Sequence, residues 1–164
     1  MDAHEAIRSQ YHAALDMLAK AVVACPEQLW NAPGDRNRFW HVAYHTAFFT
    51  HLYLQTRREQ FVPWEKHRQE VVRLGEAGAS AEPYARDGVL AYLSLVRRVV
   101  DEKVPALDFD AESGFHWLAF GKLELQIYNI RHVQQHTGEL MERLGARSGV
   151  DVPWVAAGPK RVQS

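Results

Sequence analysis

This 164-residue sequence has one cysteine, no long apolar run and almost no net charge. With Cys25 alone, no intramolecular disulfide can form, so the fold must be carried by packing. Cys25 itself reads as a small buried apolar residue near a helix end. No stretch approaches the roughly 18 to 20 apolar residues of a membrane span, and Met1 to Gln10 has no apolar segment of signal-peptide length. The sequence is therefore expected to be cytoplasmic, with no membrane partner. A formal net charge of -1 lacks the cationic excess that drives phosphate binding, which argues against a nucleic-acid partner. No glycine-rich phosphate loop is present, and no serine or cysteine stands in a nucleophile motif.

Apolar residues make up 47% and charged residues 24%, the balance of a globular chain. At this length one domain can bury roughly 70% of the surface exposed by its unfolded form. Ile7, Tyr11, Ala14, Leu15, Leu18 and Val22 recur at helical spacing over Asp2 to Ala24, with Asp2 and Glu5 as a capping box. Pro26 ends this first helix. After a loop at Asn31 to Asp35, a second helix runs from about Arg36 to Arg57, rich in aromatic residues and so deeply buried. From Phe61 to Glu82, Pro63, Gly75 and Gly78 break the pattern. This is a crossover or lid in which Trp64 to Leu74 has room for a short helix. Pro83 suits the first turn of a third helix, which stops before Pro105. Phe109 to Trp117 forms an aromatic loop. A fourth helix starts near Gly121 and ends at about Leu144 with Gly145 as terminator. Residues 1–146 then make one all-α, four-helix-bundle domain with a long crossover connection, and 147–164 a loose tail that Trp154 docks.

The most informative stretch is Arg131 to Leu140. His132 and His136, four apart on a helix, share a face and can converge on one metal ion. At about 100° per residue, Ile127, Ile130, Val133, Thr137, Met141 and Leu144 form the main apolar sector, and Leu125, Asn129, His132 and His136 a stripe beside it. On the second helix the same phase groups Arg38, His41, His45, Phe48, Phe49 and Leu52, with His51 pointing elsewhere. His45 is the most central third ligand. His41, one turn earlier, is the runner-up, as a ligand or as a partner behind one. His4, His12, His67 and His116 fall outside these stripes and are expected on surface or loop. Three neutral imidazoles suit zinc or nickel and leave a position for water or substrate. His132-Val133-Gln134-Gln135-His136 has no glutamate between its histidines, so the general base of the zinc proteases is absent. Glu139, one turn beyond His136, can orient a ligand or accept a proton. Arg38, Asn129 and Glu139 are the nearest polar candidates for substrate contact. Trp40, Phe48, Phe49, Trp64, Phe115, Trp117 and Phe120 can wall an apolar pocket or form core.

Trp40-His41-Val42-Ala43-Tyr44-His45-Thr46-Ala47-Phe48-Phe49, followed on the fourth helix by Arg131-His132-x-x-x-His136-x-Gly138-x-Leu140, resembles the DinB-like (DinB/YfiT-like) superfamily over most of the chain. The resemblance implies a four-helix bundle of unusual connectivity, with a divalent metal held by one histidine of the second helix and the pair on the last: His45, His132 and His136. It also implies a homodimer and, from some members, a small-molecule transferase whose co-substrate is a low-molecular-weight thiol. A metal-dependent hydrolase and a non-enzymatic, stress-related helical dimer with a structural metal are the alternatives, because fold alone does not set function.

Overall fold

The computed structural model describes residues 2–75 and 80–160. Gly78 and the last four residues of the expected tail lie outside these. Among the described residues the chain is all-α, with no strand and a single isolated bridge between Glu112 and Gly121. The helices are α1 (Ala3–Ala24), the one-turn α2 (Glu27–Trp30), α3 (Phe39–Tyr53), α4 (Arg86–Lys103) and α5 (Lys122–Ser148). No described helix is long and apolar enough to cross a membrane. α1 and α3 each pack on both α4 and α5, so the four long helices enclose one core.

Asp2 caps α1 as expected, its carboxylate accepting from the His4 amide at 2.9 Å. Glu5 does not close the box and pairs instead with Arg8 at 3.2 Å. α3 is buried all round except at two residues, His45 and Phe49, which share one edge a turn apart. A helix apolar on every side has to sit inside the molecule. It begins at Phe39, not Arg36, because Arg38 is extended and its guanidinium donates to the loop carbonyls of Ala32 and Asp35. The expected 64–74 helix is absent. Trp64 leaves the chain path to stack on Tyr92 at 4.7 Å between ring centroids, and only a 3-10 turn, Gln69–Val71, remains. α4 starts at Arg86, three residues after Pro83, and ends before Pro105 as expected.

α5 differs most from expectation. Its core stripe is Leu125, Gln126, Asn129, Val133, His136, Thr137, Leu140 and Leu144, while Ile127 is 48% exposed. Polar residues can occupy the centre because Tyr11 on α1 partners both of them. Its hydroxyl donates to Gln126 Oε1 at 2.8 Å and accepts from Asn129 Nδ2 at 2.9 Å. The helix also runs through Gly145 to Ser148. Gly149, at φ 67°, is the left-handed terminator, its amide donating back to Gly145 at 3.1 Å. Beyond it the expected loose tail is strapped along α1. Gly158 donates to the Ser9 carbonyl at 3.0 Å, Arg8 to Pro159 and Gln10 to Ala156. Val152 is buried there, and Trp154, the expected anchor, is 72% exposed.

The end of α3 is clamped to the start of α5, which sets the register of the two helices. The buried Lys122 ammonium donates to the carbonyls of Gln55, Thr56 and Ser113. Burial draws its pKa down to about 8, and the three acceptors still hold the ammonium form at neutral pH. Gly114, at φ 80°, lies against Thr56 and Arg57, so that a Cβ there would stand 2.9 Å from Arg57 Cα. Gly114→Ala therefore meets both a strained φ and a backbone clash. It is expected to lower stability by about 2–4 kcal/mol in urea unfolding. A variant as stable as the wild type would show that the clamp is not as tight as described.

Candidate metal centre

His45, His132 and His136 converge, each offering a ring nitrogen within 4.8 Å of the others. His45 comes from the uncovered edge of α3, and the other two come from successive turns of α5. The Nε2 atoms of His45 and His132 are 3.2 Å apart. The three ring centroids are separated by 4.7 to 5.2 Å.

Each ring's outer nitrogen decides what its inner one can do. His45 Nδ1–H donates to the Val72 carbonyl at 2.8 Å, which leaves Nε2 with a lone pair. His136 Nδ1–H donates to Glu139 Oε2 at 3.2 Å, freeing its Nε2 in the same way. His132 Nδ1 is buried without a partner. Burial pulls the pKa of His45 down to about 4 and that of His132 to about 3, the latter also through its histidine neighbours, so both are neutral ligands at pH 7. Glu139 is held below the usual carboxylate range, first by its bond from His136 and then by Arg143.

The donor set fits a divalent ion. A lone pair on His45 Nε2 facing His132 Nε2 needs a shared proton or a cation, and two imidazoles on one tetrahedral zinc place their nitrogens about 3.3 Å apart. Three nitrogens with no protein carboxylate among them is a donor set suited to zinc or nickel. Phe49 packs on His45 and His132, with centroids at 4.8 and 5.9 Å, and shields that side. His132 also lines a surface cavity of about 420 Å³ with Tyr128, Arg131, Gln134 and Gln135, all on α5, which neither His45 nor His136 lines. A larger cavity, about 760 Å³, lies at residues 58–59 and 110–121, and none of the three histidines lines it.

The other expected site residues separate. His41 is fully buried, and its Nε2–H donates to the Val71 carbonyl at 2.9 Å, so it is turned away from the ion position and pins the same connection that orients His45. Arg38 and Asn129 are not available to substrate. Arg38 is committed to the loop carbonyls, and the fully buried Asn129 donates to Tyr11 and to the Thr50 carbonyl. Glu139 stays at the centre. Of the seven aromatic residues, Phe49 alone packs on the cluster, against His45 and His132, while Trp40, Phe48, Trp64 and Phe115 are core. Val71, Val72, Asp35 and Arg143 carried no signal in the sequence. Backbone acceptors show no residue type, and the last two acquire meaning only through their partners.

No family profile, curated protein or solved structure matches this chain.

Two further histidines are buried, His12 against expectation. His12 is 4% exposed and donates to Asp101 at 2.8 Å. His51, pointed away from the centre as expected, sits 3.3 Å from the Tyr92 hydroxyl with its pKa pushed by burial down to about 4. A histidine whose folded pKa is below its unfolded 6.5 adds stability above pH 6.5 that is lost as pH falls toward 4. Stability at pH 5 should therefore be lower than at pH 7.5, with on the order of 1–2 kcal/mol due to His51. His51→Gln should flatten that part of the profile in urea unfolding. An unchanged slope would show that His51 titrates normally.

Proposed function

We propose that this chain is a divalent-metal protein of the DinB-like kind, holding zinc or nickel with His45, His132 and His136. We further propose that it is a transferase acting on a small molecule with a low-molecular-weight thiol as co-substrate. The observation that carries the metal reading is the convergence of three imidazoles, two of them with their outer N–H bonded so that the inner nitrogen presents a lone pair. The transferase reading is supported by the motif likeness on α3 and α5 and by the packing of the four long helices around one core. The same likeness carries the proposals of a four-helix bundle with a crossover and of a homodimer.

The metal, when bound, supplies Lewis acidity that lowers the pKa of a thiol or water brought to it. The protein's own residues then do three things. Val72 and Glu139 hold two of the rings in their ligating tautomers. Phe49 keeps water from one side of the cluster. The cavity beside His132, lined also by the exposed Arg131, is the place for a small molecule with an acidic substituent. The absence of a carboxylate ligand keeps the site more positive than a His₂-carboxylate centre would be, which favours binding a thiolate.

Protein purified without a histidine tag is expected to carry close to one zinc or nickel per chain by elemental analysis, or to take it up on reconstitution. His45→Ala and His132→Ala should each lose it, whereas His12→Ala should not. A wild type that stays metal-free after reconstitution with either ion would overturn the metal reading. A metal-loaded protein inert toward electrophiles with every low-molecular-weight thiol tested would overturn the transferase.

A further inference from the structure

The metal reading leaves unexplained why Glu139, on the surface of α5 with 39% of its side chain exposed, should stay aimed at His136 instead of turning into water. An exposed ion pair contributes little to holding a long side chain in one geometry. Here the carboxylate is gripped from behind. Its Oε1 accepts from Arg143 Nη2 at 2.9 Å, leaving Oε2 for the His136 Nδ1–H. Arg143 is itself fixed at its other end, Nη1 donating to Asp35 Oδ2 at 3.2 Å and to the Asn37 carbonyl at 2.9 Å. Arg147 takes the second oxygen of Asp35 at 2.6 Å. Arg143 and Asp35 are only 13% and 16% exposed, so this pair is shielded from the solvent screening that weakens surface pairs.

His136, Glu139, Arg143 and Arg147 succeed one another at spacings of three and four, one stripe along α5, and Asp35 is the member brought from elsewhere. It lies in the 31–38 loop, which Arg38 ties down from inside and which leads directly into α3 and His45. The signs alternate from carboxylate to guanidinium to carboxylate to guanidinium, so the set is neutral overall while the group facing the imidazole is an ionised carboxylate.

We propose that Arg143 and Asp35 are positioning residues for the metal centre, acting through Glu139 to fix the ring and tautomer of His136 and coupling that ligand to the loop that leads into α3. This rests on the metal reading for its purpose, but its geometry is testable without it. Removing the outer partner of a metal-bound histidine typically costs 10- to 100-fold in affinity, and a residue that acts only through that partner should cost nothing once the partner is gone.

The test uses the full chain, with zinc competed against a chelating dye and, on metal-free protein, ring ¹⁵N spectra of His136. Arg143→Ala and Asp35→Asn are each expected to loosen zinc by about 10-fold or more, with Glu139→Ala at least as damaging. Adding Arg143→Ala to Glu139→Ala should change nothing further, Arg143→Lys should recover part of the loss, and Arg147→Ala should leave affinity within about twofold. In the metal-free protein the Nδ1–H tautomer of His136 should dominate in the wild type and mix with the other in Arg143→Ala. If Arg143→Ala does not fold, Asp35→Asn and Arg143→Lys answer the same question.

Wild-type affinity in Arg143→Ala and Asp35→Asn would overturn the proposal, as would losses that multiply in the Glu139→Ala background. A wild type that binds no zinc or nickel would sink the metal reading instead. The ¹⁵N spectra then decide the inference alone, a His136 signal identical in wild type and Arg143→Ala overturning it.

Discussion

Burying α3 on nearly every side makes most of its polar groups depend on partners inside the protein. A buried polar group left without a hydrogen bond costs about 1–3 kcal/mol, a sizeable share of the stability of a domain this size. Thr46 and Thr50 turn back on their own helix, bonding the carbonyls four residues earlier. The histidines reach outward. His41 and His45 donate to consecutive carbonyls, Val71 and Val72, so the connection after α3 is pinned to the helix by the two imidazoles. That one pair of bonds brings the crossover onto the core and sets the tautomer of His45.

The remaining geometry of the centre follows from α5 being clamped at its start and strapped at its end. Lys122 joins its first turn to the carbonyls just past the end of α3, and the Tyr11, Gln126 and Asn129 cluster fixes its rotation against α1. With phase and height both set, His132 and His136 can only face the edge of α3 that carries His45 and Phe49. Phe49 packs on two of the rings, and burial keeps His45 and His132 neutral. The same burial that makes these two histidines poor bases suits them to a metal.

Much of this arrangement was legible in residue spacing. The pair His132 and His136, and the choice of His45 over His41, both came from the 100° arithmetic of a helix, and the structure brings those three together. The long helices were visible for the same reason. Where reasoning from spacing went astray, a tertiary partner had overridden a local preference. Ile127 is apolar and by spacing belongs in the core, but Tyr11 offers hydrogen bonds that draw Gln126 and Asn129 there instead. Gly145 has the residue type of a helix end, yet nothing obliges a glycine to leave a helix, and the left-handed turn falls at Gly149. Arg38 and Asn129 share stripes with the histidines, and both are consumed by partners that no spacing rule exposes, Arg38 by loop carbonyls and Asn129 by the Tyr11 hydroxyl and the Thr50 carbonyl.

The sequence by itself determined the helical class and the set of imidazoles able to share an ion, because helical periodicity is a property of the local chain. Only the tertiary structure decided which ring nitrogen is free and that Asp35 and Arg143 stand behind Glu139. Those depend on carbonyls and charges contributed by segments distant in the chain, and a backbone carbonyl leaves no mark on the sequence that supplies it.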